Sequence, residues 1–286
     1  MRVEKEVRTA VYDAALQVEA YWFTGVMQRF PNHFHEHYVI GFIEKGSRYL
    51  CCGNREYTIE PGDLLLFNPR DSHACVQADN SSLDYRCLNI QPDVLQKAAY
   101  EITGRDERPR FSHNVVYKSE LVAPLRELHQ ILLREQTDFQ KEELLLFLLE
   151  QLLEEHAGQC DAGERESAQV RAIADYLAGN YEKPVTLEEL GALTGLSKYT
   201  LLRRFTREKG ISPYSYLCTL RIDQAKRLLQ QGEPPMDAAL QCGFSDQSHF
   251  SNVFKKLIGI TPGQYRRIFL QKGSAVQNGK DQCHDR

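Results

Sequence analysis

Between about residues 20 and 90 the chain alternates apolar and polar positions in short runs: Y-V-I-G-F-I, S-R-Y-L-C-C-G-N, R-E-Y-T-I and D-L-L-L-F. A period of two sends successive side chains to opposite faces of a strand. Turn chemistry separates the runs, with G-N at 53–54 and P-G-D at 61–63. Short strands at this spacing predict a β-sandwich or barrel. From about 119 to 156 the period lengthens: Leu121, Leu125, Leu128 and Leu132 predict a helix starting near Pro124. After a break at Thr137–Asp138, L-L-L-F-L-L-E-Q-L-L is apolar nearly all round, and such a helix is buried on every side. One face packs on the β-domain, and the other is expected to meet a second copy of the chain in a homodimer. The plainer alternative is that both faces are internal core.

Residues 157–167, A-G-Q-C-D-A-G-E-R-E-S, are small, polar and without period, and read as a linker. Helical patterning resumes and runs to about residue 270. In V-T-L-E-E-L-G-A-L-T-G-L-S-K-Y-T-L-L-R-R-F, Thr186 and Glu189 are spaced as a capping box. It opens a helix with Leu187, Leu190 and Leu193 as its inward positions. Gly195 permits a sharp turn and Ser197 can cap the next helix. That is a helix-turn-helix, with Leu201 and Phe205 inward and Lys198, Tyr199, Leu202, Arg203 and Arg207 outward. The pattern repeats from Pro235: a short helix, a turn at Gly243, then D-Q-S-H-F-S-N-V-F-K-K. There Phe250, Val253 and Phe254 are inward, and Ser248, His249, Ser251, Asn252 and Lys255 outward. A long amphipathic helix from Pro213 joins the two units. At ~1.5 Å per residue it spans about 28 Å, near the ~34 Å between successive major grooves on one side of B-DNA. Two probe helices on one stiff spacer can enter adjacent grooves of double-stranded DNA.

Charge supports this division. The chain carries −4 overall, but residues 166–270 hold 14 Lys/Arg against 10 Asp/Glu, leaving 21 against 29 for the rest. A mildly basic module on an acidic one places a polyanion at the C-terminal part. No apolar run reaches the ~18 residues of a membrane span, and no signal segment follows the charged start M-R-V-E-K-E-V-R; the expected location is the cytoplasm. Eight scattered cysteines form no C-x-x-C pair and read as reduced thiols. Cys51 and Cys52 are adjacent, but neighbours in a strand face opposite ways.

The runs L-R-I-D-Q-A-K-R-L-L, G-F-S-D-Q-S-H-F-S-N-V-F-K-K and G-I-T-P-G-Q-Y-R resemble the signature of the AraC/XylS family of bacterial transcription regulators, over about residues 168 to 268. The resemblance implies a seven-helix DNA-binding domain with two helix-turn-helix motifs. It also implies DNA contacts from Lys198, Tyr199, Leu202 and Arg203 in the first motif and from His249 and Asn252 in the second; Ser197, Arg207, Ser248 and Lys255 complete the candidate set. An activator is the usual case in the family, with RNA polymerase as partner. In one respect the sequence departs: P-P-M-D-A-A replaces the usual aliphatic-rich start of the second motif, with Met236 as the residue expected to fill the space. Leu202 offers no hydrogen bond and can read only a thymine methyl or shape.

The N-terminal region resembles the cupin-like effector domain common in that family, through P-N-H-F-H, the E-K-G turn at 44–46 and I-E-P-G-D-L-L-L-F-N-P-R-D-S-H. In P-N-H-F-H-E-H-Y, His33, His35 and His37 recur at alternate positions, so one strand face would gather three imidazoles. With Tyr49 and His73 they form the candidate pocket for a small organic effector. His33, His35 and His73 could also supply three ligands to a metal such as Zn²⁺ or Fe²⁺. The position where metal-binding cupins carry a glutamate falls in Y-V-I-G, which has no carboxylate, so no metal or cofactor is assigned. A third reading makes these histidines structural supports of the barrel mouth.

The expected fold is α+β with two domains. A cupin-like β-barrel with a helical dimerisation segment fills residues 1–157, a linker 158–167, an all-α DNA-binding domain 168–270 and a disordered tail 271–286. The expected function is a DNA-binding regulator without catalysis that responds to a small molecule. Two rivals stay open: a metal-dependent cupin enzyme or metal sensor on a DNA-binding tether, and a ligand-free DNA-binding protein controlled by a partner protein.

Overall fold

The computed structural model describes residues 5–53, 55–79, 81–134, 139–158, 166–270 and 276–277. The strand-rich half contains β1 Val7–Asp13, β2 Val18–Val26, β3 Phe30–His33, β4 Tyr38–Lys45, β5 Arg48–Cys52, β6 Arg55–Ile59, β7 Leu64–Phe67, β8 His73–Gln77 and β9 Leu83–Ile90. Helix α1 Pro92–Thr103 and the short β10 Val115–Val116 follow, then α2 Val122–Leu132 and α3 Phe139–His156. The strands form two sheets rather than one closed barrel. β10-β7-β4-β9-β2-β1 continues to β11, Val276–Gln277, and β3-β8-β5-β6 forms the second sheet. The pairing of β11 with β1 falls within the stretch expected as a disordered tail; the rest of that stretch, and most of the linker, lie outside the described residues.

The larger sheet is apolar on both faces, which explains runs such as L-L-L-F without strict alternation. Tyr21, Phe23, Val39, Ile43, Leu65 and Phe67 point towards the smaller sheet. Val18, Ala20, Ile40, Phe42, Leu64 and Leu66 point the other way, onto Leu95 of α1, Leu125 and Leu128 of α2, and Leu145 and Leu148 of α3. Helix α1 had no sequence forecast. α2 and α3 lie where the leucine spacing predicted them, but α3 is only half covered: Leu148, Leu149 and Leu152 are buried, while Phe139 is 78% exposed and Phe147 45%.

The C-terminal half is seven helices among the described residues: α4 Ala168–Gly179, α5 Leu187–Thr194, α6 Lys198–Lys209, α7 Pro213–Gln230, α8 Pro235–Gln241, α9 Gln247–Ile258 and α10 Pro262–Leu270. Local chemistry sets their ends. Thr186 and Glu189 make the expected capping box, Gly195 closes α5 at φ +69°, Ser197 caps α6 and Asp246 caps α9. Two details differ from expectation. Leu193 is 47% exposed, because the inward row of the eight-residue α5 passes through Leu190 and Thr194, whose hydroxyl bonds the Leu190 carbonyl. Met236 is 57% exposed and fills nothing; Ala238 and Ala239 occupy the inner side of α8 instead.

The halves share their cores. One apolar cluster runs from the cavity face of the large sheet into Ile222, Leu229, Phe250, Phe254 and Tyr265 of the helical half. A second, around Leu201, Phe205 and Tyr216, includes Phe34 of the N-terminal half.

Candidate effector pocket and DNA-binding face

Between the two sheets lies a cavity of about 740 Å³, counted to its open mouth. Its walls are apolar side chains such as Phe23, Phe30, Ile43, Leu50, Leu65 and Phe67. Histidines form its polar end. His33, on β3, pairs in register with His73 of β8, and the alternation continues beyond the strand, so His35 and His37 reach the same space. Ring centroids are 4.5 Å apart for His33–His73, 4.7 Å for His33–His35 and 4.8 Å for His35–His37. His73 also stacks flat on Phe67 at 4.1 Å. Four of the five sequence-selected pocket residues therefore converge. Tyr49 does not: β5 directs Leu50 inward, and the neighbouring Tyr49 is 51% exposed on the opposite face.

Every titratable group in the lining is held neutral. Burial, aided by His73, pushes His33 down to about 3, and burial pushes His73 down to about 4. Burial, aided by the neighbouring imidazoles and the Lys226 ammonium, holds His35 and His37 well below the usual range. The same burial raises Cys75 to about 11 and Cys87 to about 12, and lifts Tyr21 and Tyr85 well above 10. Two rings have a defined tautomer. His33 Nδ1 lies 2.7 Å from the Pro31 carbonyl and His73 Nδ1 3.0 Å from that of Asp71. A carbonyl can only accept, so Nδ1 carries the proton and Nε2 is left as an acceptor. His37 Nε2 is buried without a partner.

One ring nitrogen each from His33, His35 and His73 lies within 4.8 Å of the other two, close enough to share a metal ion. Among the described residues no carboxylate joins them; Glu44 instead forms ion pairs with Arg86 and Arg126.

The cavity is not closed by the N-terminal half alone. Leu257 and Ile258, at the end of α9, complete its wall, and Phe23 packs against Gly259, the left-handed cap of that helix at φ +93°. Arg8 donates to the Gly259 carbonyl. Nearby, Glu19 of β2 accepts from Tyr21 at 2.7 Å and from Tyr265 of α10 at 2.8 Å, and lies 3.6 Å from the Lys226 ammonium of α7. Sequence patterning did not single out the contacts between the halves, because they join residues more than 200 positions apart.

The same stretch that carries the histidines carries the grip on the first helix-turn-helix. Asn32 donates to the Gly210 carbonyl at the end of α6. Phe34 is 2% exposed among Val170, Leu201, Phe205 and Tyr216, and its ring lies 4.8 Å from that of Tyr216. His33 and His35 face the cavity while Asn32 and Phe34 face the DNA-binding half.

On the far side, the outer faces of α6 and α9 are open to solvent. Ser197, Lys198, Tyr199, Leu202, Arg203 and Arg207 are exposed, Ser248 and Asn252 likewise, and His249 and Lys255 are half-buried. Tyr199 stands 73% exposed. Two cations are held by acids of the same chain, Lys198 by Glu188 and Arg207 by Glu208, so nucleic acid would have to compete with them.

The pattern of the AraC-like ligand binding domain matches residues 17–153, and that of a helix-turn-helix domain residues 190–268. Over 249 residues the chain is 53% identical to the HTH-type transcriptional regulator YbfI of Bacillus subtilis, covering 86% of this chain and 90% of that one. It is 26% identical to the HTH-type transcriptional activator RhaS of Klebsiella pneumoniae, over 83% and 88% of the two chains. Its fold is similar to that of ToxT from Vibrio cholerae, solved with an unsaturated fatty acid bound, at a TM-score of 0.50 and 17% identity over 92% and 94% of the two chains.

Proposed function

The chain belongs to the AraC family of effector-responsive, helix-turn-helix transcription regulators, and from that premise we propose where its effector sits and how binding reaches the DNA. The effector occupies the histidine-ended cavity, with His33, His35, His37 and His73 at its polar end. α6 and α9 read adjacent major grooves through Ser197, Lys198, Tyr199, Leu202, Arg203 and Arg207, and through Ser248, His249, Asn252 and Lys255. α7, at 18 residues and ~1.5 Å per residue, is a rod of about 27 Å between them.

The two-faced segment 32–35 carries this reading. A ligand that shifts His33 or His35 shifts the backbone that holds Phe34 in the first motif's core. A ligand against Leu257 and Ile258 touches the second motif directly. Occupancy then changes the balance between arrangements of the two halves, as a population shift whose size is set by the ligand's difference in affinity for them. The protein works in the cytoplasm as a homodimer through the open face of α3, without catalysis, and activates transcription in contact with RNA polymerase.

The test is a mobility-shift titration of the full chain on its upstream DNA, with and without fractionated cell metabolites. A fraction that changes affinity, and stops doing so in a Phe34→Ala variant, supports the reading. Indifference to every fraction favours control by a partner protein instead. The second reading is a metal sensor, favoured by the three ring nitrogens within 4.8 Å. Stoichiometric Zn²⁺ or Fe²⁺ in purified protein, lost in His35→Ala, would replace the organic effector with a metal.

A further inference from the structure

The cavity's chemistry narrows what it accepts. At its polar end two of the four rings offer electron pairs. His33 and His73 donate Nδ1–H to backbone carbonyls and so present Nε2 as acceptors, and His37 Nε2 is 98% buried with its residue and has no partner. Among the described residues, no lysine or arginine lines the space. The ammonium whose charge bears on His35 and His37, that of Lys226 on α7, is held 3.6 Å from Glu19. The remaining walls are hydrocarbon, apart from Asn89 and the neutral Tyr21, Tyr85, Cys75 and Cys87.

We propose that the effector is an uncharged molecule with an apolar body and a hydroxyl head that donates its one hydrogen bond to the Nε2 atom of His73, and that carboxylates are rejected. An anion would enter with no cation to receive it, and burying an unpaired charge costs several kcal/mol. A hydroxyl meets a free ring electron pair without bringing a charge into the cavity. Hydrocarbon walls then favour the body of the same molecule, at about 0.8 kcal/mol per buried CH₂.

This proposal rests on the reading of the cavity as the effector site, and its test separates the two. The full chain is titrated calorimetrically at pH 7.5 with matched pairs: 1-decanol against decanoate, and 4-butylphenol against 4-butylbenzoate. The expected result is binding of the alcohol and phenol at least tenfold tighter than their acid partners. Lowering the pH to 5.5 is expected to narrow the gap by protonating the free acids, while alcohol binding to folded protein stays constant. Within that window the rings, Cys75, Cys87, Tyr21 and Tyr85 keep their protonation states. Replacing His73 with Phe, which keeps the stack on Phe67, is expected to weaken the alcohols tenfold and leave decanoate unchanged. Equal or tighter binding of the carboxylates by the wild type overturns the proposal, as does no binding of either alcohol or phenol. Binding of the alcohols with no change in DNA affinity leaves the ligand class standing and removes the regulatory reading.

Discussion

Phe34 and Tyr216 lie 4.8 Å apart, centroid to centroid, although one belongs to the ligand-binding half and the other to α7 of the DNA-binding half. The contact is an inserted ring, 2% exposed, in a core otherwise built mainly by α4, α5, α6 and α7. Truncating such a ring costs about 3–5 kcal/mol in a core. Phe34→Ala is therefore expected to loosen the halves while leaving the cavity, lined from the opposite face, able to bind. Hydrogen exchange should rise across α6 and α7 and stay unchanged in β4 and β9. Uniform exchange gains across both halves would mean that Phe34 supports the whole fold rather than one junction.

Gly259 is the corresponding hinge of the second motif. It adopts φ +93°, and an added Cβ would collide with the ring of Phe23. Gly259→Ala should displace α9 from the cavity wall, through both backbone strain and collision. Thermal unfolding should fall by several degrees, and the DNA contacts of α9 should weaken relative to those of α6, read by footprinting the two half-sites.

Arg203 is exposed on α6 with the length to reach a guanine edge. Arg203→Ala is expected to weaken specific binding by about 1–3 kcal/mol if the contact is a bidentate one to a base. Competition with nonspecific DNA distinguishes this from a phosphate contact, whose loss would weaken all sequences alike.

The buried imidazoles make the ligand-binding half acid-sensitive. A histidine whose pKa falls on folding contributes stability present above pH 6.5 and lost as the pH drops towards its folded value. For His33 and His73, at about 3 and about 4, the loss between pH 6.5 and 5 is on the order of 2 kcal/mol each. Asp223 acts in the opposite sense: burial lifts its carboxyl to about 7, so it favours the folded state more as the pH falls from 7 towards 3.8. The histidines outnumber it, and net melting temperature should drop below pH 6.5. The drop should be smaller in a His73→Phe variant and larger in Asp223→Asn.

α3 leaves Phe139, Leu146 and Phe147 uncovered on one side, the face expected to meet a second copy. Phe147→Arg should convert a dimer to a monomer in sedimentation without lowering the melting temperature of the monomer fold. A wild type that sediments as a monomer would remove the dimer from the scheme.

The sequence by itself determined the local structure and the solvent-facing sides of α6 and α9. Capping residues, glycine turns and three-to-four spacing act over a few residues, so the Thr186–Glu189 box, the Gly195 turn and the outward placement of Arg203 and Asn252 were legible without coordinates. Alternation likewise placed His33, His35 and His37 on one face. The same rule overreached at Tyr49, because a strand's period does not say which of its faces is inward. Spacing likewise misplaced Leu193 and Met236, whose burial depends on what packs against a short helix. Only the tertiary structure decided that the strands form two sheets rather than a closed barrel, that His73, which the family resemblance had singled out, pairs in register with His33, and that Phe34 and Ile258 cross between the halves. Those contacts join positions up to some 230 residues apart, and side chains at such separation carry no mutual signal in the pattern of one chain. They meet because each half leaves apolar surface that only the other can remove from water.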